Sequence, residues 1–526
     1  MSGALDFRDR GKLFDALEES AFDLLVIGGG VTGAGVARDA AMRGLKVALV
    51  EARDFASGTS SRSSKMIHGG LRYLAQGELG LVREAASERK AVETIAPHLA
   101  RRTPFVIPAH SRPGIAKLNA GLWAFEKLGG VQKDRKHEVW SKTELAEKEP
   151  TVDTSDLAGA VVYPEYLTDD SRLTLANVRS AVAFGAVVIN YAPVQEIVLV
   201  GGKAAGAVVG DALSLSEPRA RVAAKVVVNA AGPWVDALRH LEDGQAPARL
   251  VLTKGVHLVV PRDKLPVERT VIFPAADKRS VFAVPKGQMT YLGTTDTFYE
   301  TADYWPRIEA ADVDYLLAAA AARFRCEPLK PGDITSAWSG VRPLVAEEGK
   351  SPSDISRHDE VWTGPHGVIS IAGGKLTAYR RMAERITDTV QEALGLKVTP
   401  SQTAELPLIG GDVDVEAMKI RLIHNELTGQ EAARLVQLYG SESPQAMGGP
   451  EAEAHRAVLW EGAVMLEDYW VRRSARAWFD PDGGMAALEP ASIEMAGLLG
   501  WSEDERMRQI GACRAIHDQS LAFQGG

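Results

Sequence analysis

Cysteine is almost missing from this chain. Only Cys326 and Cys513 occur among 526 residues, which excludes a disulfide framework or a cysteine-rich metal centre, and no metal site is expected. Long apolar runs are missing too. The most continuous stretches, such as Tyr315 to Ala322, fall far short of the ~20 residues that span a bilayer. The first twenty residues carry Asp6, Arg8, Asp9, Arg10 and Lys12 with no apolar segment among them, so no secretory leader is expected. Nor is there an excess of positive charge. The net charge is −9 and no basic tract stands out, so nucleic acid is not an expected partner. What remains is an ordinary globular composition, 45% hydrophobic and 25% charged, in a chain long enough for roughly two to four domains. A cytoplasmic protein is expected. Composition leaves open whether it rests on the inner face of the cytoplasmic membrane.

Periodicity divides the chain unevenly. A polar helix is expected over Gly11 to Ser20, followed by the buried strand FDLLVI at Phe22 to Ile27. A glycine turn leads into an alanine-rich helix over Thr32 to Arg43, stopped by Gly44. A second apolar strand, Lys46 to Val50, ends at Glu51. This is a βαβ-type opening. Further on, Leu173 to Phe184 reads as a helix, Ala186 to Val200 as strands broken at Pro193, and Val222 to Ala230 as a buried strand. Short strand-like runs alternate with turns from Thr253 to Thr297, suggesting a separate sheet-bearing lobe. A brief apolar run, Ile369 to Ile371, enters another glycine turn and helix. Beyond about Thr399, the segments Val415 to Tyr439, Glu451 to Trp478 and Ala487 to Asp518 read as helices.

GGGVTG at Gly28 to Gly33 matches G-x-G-x-x-G. Gly28 permits the tight turn, Gly30 lets the backbone approach a pyrophosphate, and Gly33 allows close helix packing. The motif sits between a strand and a helix, and Glu51 ends the next strand, where a carboxylate can accept from ribose hydroxyls. Taken alone, Glu51 is equally an ordinary solvated strand end. The motif does not separate FAD from NAD. Two distant segments do: NAAGPW (Asn229 to Trp234) and GGKLT (Gly373 to Thr377) add close-approach turns that suit a long extended cofactor. Singly, each is a plain turn.

Beyond these, the chain resembles the flavin-linked, respiratory-type sn-glycerol-3-phosphate dehydrogenases. The resemblance runs in order from about residue 22 to 381, through VIGGGVTGAGVARDAAMRGL, SGTSSRSSKMIHGGLRYL, NAAGPWV, LTKGVHLVVP, YLGTTDT, WSGVRPL and IAGGKLTAYRRMAE. HGGLRYL, SGVRPL and GGKLTAYR carry most of its specificity. MLEDYWVRRS at Met465 to Ser474 looks like the family's terminal domain. The resemblance implies FAD as cofactor, oxidation of sn-glycerol 3-phosphate to dihydroxyacetone phosphate, and electron delivery to a membrane quinone. The fold it implies is α/β, with a Rossmann-like FAD-binding domain, an α+β substrate (cap) domain and a helical C-terminal domain. The FAD-binding domain is expected to be discontinuous (1–100, 165–245 and 340–395), with the cap at 101–164 and 246–339 and the helices at 396–526. A homodimer is one arrangement this reading allows.

A phosphomonoester needs hydrogen-bonded cations, and arginine's planar fork suits it. Arg72, Arg342 and Arg357 lie in or near the matching motifs, and Lys375 adds a point charge at a helix entry. The plainer alternative is that Arg72 or Arg342 holds an internal carboxylate network, and that Arg357, in SPSDISRHDE, is a solvated charge. His257, in the apolar run VHLVV, is the preferred base for the hydroxyl proton, with Lys254 a weaker candidate. An isolated strand histidine is otherwise a satisfied core residue. Arg342 and Lys375 join His257 as catalytic candidates. Arg72, Tyr73, Thr294 and Arg357 are expected to bind substrate, with His68 and Thr295 orienting substrate or flavin. The hydroxyl-rich loop Ser60, Ser61, Ser63, Ser64 and Lys65 reads unaided as a surface turn. By resemblance, Ser60, Ser61 and Ser64 contact the cofactor, together with Gly28, Gly30, Gly33, Glu51, Gly232, Trp234, Gly374, Leu376 and Thr377. Near the C-terminus, Trp460, Trp470 and Trp478 are read as a helix's core face and Arg472, Arg473 and Arg476 as its solvated side. A membrane-facing helix is the alternative. Other enzyme readings are an oxygen-using oxidase, although no obvious insertion separates YLGTTDT from WSGVRPL, and a glycine- or sarcosine-type amine oxidase. A non-catalytic flavoprotein is the last.

Overall fold

The computed structural model describes residues 3–68, 79–129, 136–214, 220–346 and 359–525. Two sheets organise the chain. The first begins with Ala21–Ile27, an apolar strand buried along most of its length. It pairs in parallel with Val47–Val50 on one side and Ala220–Asn229 on the other. Val187–Ile189 and Ile369–Gly373 extend this parallel sheet outward, and Asp359–Thr363 closes one edge antiparallel. Parallel strands need both faces covered, which is why their sequences run apolar without alternation. The helices Val31–Met42, Asp170–Ala183 and Tyr379–Ala393 pack on one another over this sheet. Val36 and Ala40 meet Val178, Ile386 and Val390 in one core with Leu24 and Val26. The small residues of the first helix permit this approach: a Cβ on Gly35 would lie 3.0 Å from the Ala383 Cβ.

The second sheet has ten strands and is largely antiparallel. Its long ladder joins Leu250–Pro261 to Ser336–Val345 and sets His257 opposite Trp338, Gly255 opposite Gly340, and Thr253 opposite Arg342. Side chains alternate along a strand, so these six residues share one face. The architecture is therefore α/β, with a Rossmann-like sheet, an α+β lobe and a helical C-terminal part.

The C-terminal segments are more broken than their periodicity suggests. Val415 to Tyr439 is two helices, the second opened by a Thr428–Glu431 capping box. The expected helix Glu451 to Trp478 ends at Gly462 (φ +65°), then resumes as a π-helical turn over Asp468–Arg473. Ala487 to Asp518 splits at Gly500 (φ +70°). These glycines adopt the left-handed conformation that ends helices. Trp470 and Trp478 are buried against the second sheet, with the Trp478 ring 5.6 Å from that of Trp338. Trp460 is half-buried.

The arginines beside them depart from expectation. Arg472 and Arg473 are fully buried instead of solvated, and Arg476 is half-buried. Each has carboxylate partners: Arg473 and Arg472 hold Asp54, Arg472 also binds Asp468 at 2.8 Å, and Arg476 binds Glu453 at 3.0 Å. A membrane-facing role for this segment is excluded by the same burial. Arg172 likewise forms a bidentate pair with Glu461 (2.7 and 2.8 Å), tying a helix of the first sheet to the C-terminal helices. Among the described residues, no helix is long and apolar enough to cross a membrane.

One buried titratable group in this framework has a measurable signature. His98 packs beneath Gly410 and Gly440, and burial, reinforced by the Arg172 charge, pushes its pKa down to about 3. The depressed value means the unfolded chain takes up a proton near pH 6.5 that the native state refuses. Stability from this group is therefore full above about 6.5 and lost as pH falls. Relative to His98→Asn, the wild type should lose about 1.4 kcal/mol per pH unit between pH 6 and 4 in urea titrations. Parallel curves would show that His98 protonates normally in the native state.

Candidate functional site

The first strand ends at Ile27, and Gly28 turns the chain with φ +110°. A Cβ on Gly28 would lie 2.6 Å from the Ala230 carbonyl oxygen, and one on Gly33 would lie 2.0 Å from the Gly28 carbonyl oxygen. Only glycine fits at either position. The helix Val31–Met42 starts at Gly30, whose own side has no side-chain cap, while the Val31 N–H donates to Ser60 Oγ at 2.9 Å. This turn opens onto a crevice of about 400 Å³ that runs between the two sheets. Its wall includes Gly28, Gly30, Glu51, Ser60, Ser64, Gly232, Trp234, Gly374, Leu376 and Thr377, along with Arg342, Lys375 and His68. Gly33 stands behind the turn as a packing residue, and Ser61, though buried, is not among the described wall residues. Arg72, Tyr73 and Arg357 lie outside the described residues.

Glu51 is not a solvated strand end. Its carboxylate accepts the Gly29 N–H at 2.6 Å and the Arg53 N–H at 2.8 Å, and burial raises its pKa against these two hydrogen bonds. Three residues on, Asp54 is fully buried. It accepts from both Arg472 and Arg473 and from Asn190 Nδ2 at 3.1 Å, and the two guanidinium charges hold its pKa down to about 2 despite its burial. The C-terminal part therefore grips the loop that follows the Glu51 strand. Trp234 stacks on Tyr304 at 4.2 Å, and the Arg53 guanidinium lies 4.1 Å from the same tyrosine ring. Three separate glycine approaches and a buried carboxylate along one crevice fit an extended dinucleotide such as FAD.

The opposite wall comes from the second sheet. Gly255 and Gly340 face each other across the ladder and leave room there: a Cβ on Gly255 would lie 2.0 Å from Arg342 Nη2. Arg342 reaches over this gap to the crevice. Its guanidinium donates to Thr294 Oγ1 at 2.9 Å and to Asp296 Oδ1 at 3.1 Å, so it is held by a carboxylate and also exposed to the cavity. Thr294 thus touches the crevice through Arg342 and is not itself on the wall. Thr295 Oγ1 accepts the Val256 N–H at 3.0 Å. Lys375 stands immediately before the short helix Leu376–Ala378, beside the Gly373–Gly374 turn. Lys254, the weaker base candidate, is buried and paired with Asp312 at 2.7 Å.

His257 sits one layer back. The ring is buried, stacks on Trp338 at 4.8 Å, and places Nε2 2.9 Å from Ser64 Oγ, which does line the crevice. Burial, reinforced by the positive charges of Arg342 and Lys65, pushes its pKa well below the usual histidine value, so the ring is neutral at pH 7. Period-two spacing puts His257 on the right face of its strand. It says nothing of the serine standing in front.

Two groups were not singled out from the sequence. Asp170, at the start of its helix, lines the crevice and binds Lys65 Nζ at 2.6 Å and Ser63 Oγ at 2.7 Å. Arg62 is buried on the wall, 3.9 Å from the Trp305 ring, and donates to the Ser57 carbonyl. Burial lowers its pKa to about 9. Neither stands out in the sequence, since Asp170 opens an ordinary helix and Arg62 sits in a loop that reads as a surface turn.

A family model described as FAD dependent oxidoreductase matches residues 23–380, and one described as the C-terminal domain of alpha-glycerophosphate oxidase matches 401–506. The aerobic glycerol-3-phosphate dehydrogenase of Bacillus subtilis is 40% identical over 98% of each chain. Its namesake from Staphylococcus aureus is 44% identical over 92% of each chain. A crystal structure of the glycerol-3-phosphate dehydrogenase from Bacillus halodurans, complexed with FAD, superposes with a TM-score of 0.82 at 34% identity, covering 98% of both chains.

Proposed function

Because the chain belongs to the FAD-dependent oxidoreductases, among the aerobic glycerol-3-phosphate dehydrogenases, we propose that it oxidises sn-glycerol 3-phosphate to dihydroxyacetone phosphate with FAD as hydride acceptor and a membrane quinone as the onward acceptor. The observation that carries this reading is the pair of cations, Arg342 and Lys375, on the wall of a crevice built around the Gly28 turn. A phosphate dianion entering there meets a guanidinium already oriented by Thr294 and Asp296, so little side-chain freedom is lost on binding. Gly28, Gly30, Glu51, Ser60, Gly232, Trp234, Gly374, Leu376 and Thr377 hold the cofactor. Gly33 and Ser61 support that wall from behind. Arg72, Tyr73 and Arg357 complete the substrate contacts on the strength of their motifs.

Oxidising the alcohol requires the hydroxyl proton to leave. Ser64 Oγ faces the crevice and hands its proton to Nε2 of neutral His257 as it takes the proton from the substrate hydroxyl. His257 in this reading acts through Ser64 without touching the substrate. The protein docks peripherally on the membrane in which the quinone is dissolved. Oxygen is the second reading for the acceptor, favoured by the match of residues 401–506 to an oxidase's terminal domain.

Anaerobic addition of sn-glycerol 3-phosphate should bleach the flavin of the holoenzyme, whereas glycerol without the phosphate should not. A flavin that stays oxidised with the phosphate ester would overturn the assignment. Faster turnover with a soluble quinone analogue than with air, and little peroxide, would separate the dehydrogenase from the oxidase.

A further inference from the structure

The helix Arg112–Gly129 lies on the second sheet with Leu122, Phe125 and Glu126 turned inward. The inward carboxylate is taken: Glu126 accepts from the His137 backbone N–H and pairs with the His137 ring at 2.7 Å. The outward side is unusual for a solvent face. Its exposed positions include Pro113, Ala116, Ala120 and Trp123, the tryptophan 56% exposed. Every described charge on that side is positive, from Arg112, Lys117 and Lys127, with Lys127 Nζ 5.1 Å from the Trp123 ring. The chain as a whole carries −9, so this face stands against the overall charge. No described neighbour takes up any of the three cations in an ion pair.

We propose that this face is where the protein sits on an anionic lipid surface. The inference rests on the reading that the electron acceptor is a membrane quinone. Small and apolar residues allow the helix to lie flat at the headgroup level. Trp123 suits that boundary with an apolar body and a polar N–H, and the flanking lysines extend to lipid phosphates with their stems along the helix. Each cation near such a surface contributes on the order of 1 kcal/mol. The occupant is fixed by charge as well as by apolarity: an acidic protein surface would leave Trp123 without an apolar bed, and neutral lipid would leave the lysines without partners.

The test is co-sedimentation of the holoenzyme with phosphatidylcholine vesicles, with and without phosphatidylglycerol. Wild type should bind the anionic vesicles far better than the neutral ones. Lys117→Gln/Lys127→Gln should lower binding to the anionic vesicles by roughly 10- to 30-fold. Trp123→Ala should lower it several-fold, and all variants should keep the wild-type rate with a soluble quinone analogue. Wild-type binding that the variants match would overturn this surface while leaving membrane docking in place. Absence of wild-type binding, with quinone reduction intact, would remove membrane docking and this surface together. If Trp123→Ala instead converts a dimer to a monomer by light scattering and binds vesicles as wild type does, the face belongs to a second copy of the chain and the proposal fails.

Discussion

Arg342→Lys should lower kcat/KM for sn-glycerol 3-phosphate by about 100- to 1,000-fold while leaving flavin bound at the wild-type level. The loss corresponds to roughly 3–4 kcal/mol of transition-state binding. A lysine keeps the charge but presents a single ammonium where the guanidinium has a rigid fork. It also cannot both remain anchored on Thr294 Oγ1 and Asp296 and reach a phosphate with two parallel donors. Flavin reduction measured by stopped flow at saturating and limiting substrate separates the effect on binding from that on the chemical step. Flavin content is read from the absorbance ratio. Equal loss of flavin and of substrate binding would identify Arg342 as a structural arginine that holds Asp296.

Asp54→Asn should be the most destabilising of the substitutions considered, by about 3–5 kcal/mol in urea unfolding, with loss of most bound flavin. The carboxylate is buried among Arg472, Arg473 and Asn190, and it accepts from Arg473 Nη2 at 2.7 Å. An amide of the same shape leaves two buried guanidinium charges short of one negative partner and turns two donors toward donors. The flavin effect follows from position, because the Arg53–Asp54 segment directly follows Glu51, just beyond the strand Val47–Val50. The native pKa of about 2 gives the pH sign. The depressed value contributes stability above pH ~4 and loses it progressively as pH falls through 2. A variant with an unchanged urea midpoint would show that Asp468 and Glu467 alone compensate Arg472.

The cofactor turn was legible because it is local. Strand, glycines and helix lie within one stretch, where Gly28 and Gly33 answer clashes with the backbone oxygens of Ala230 and Gly28, and Gly30 faces the Ser60 hydroxyl. The strand that carries His257 was also legible, from its apolar run. What stood in front of His257 was not, because Ser64 arrives from a loop 193 residues away. The error over Arg472 and Arg473 has the same origin. Helical spacing separates an apolar face from a charged one, and a charged face is ordinarily wet. Here the charged face is dry because Asp54, from the other end of the chain, meets it. Arg62 was overlooked for a related reason: a cation in a serine-rich loop looks solvated until a tryptophan ring is found lying against it.

The grip of Arg472 and Arg473 on Asp54 also has a schedule. Their separation in sequence is 418 and 419 residues, which a ribosome covers in roughly 20 to 80 seconds. Throughout that interval the nascent glycine turn exists without the counter-charges that fix the loop beyond Glu51. The strand Ile369–Gly373, which carries the last glycine approach, is also late to arrive. Cofactor capture is therefore expected late, and a chain that stops short of Arg472 should retain little flavin on purification.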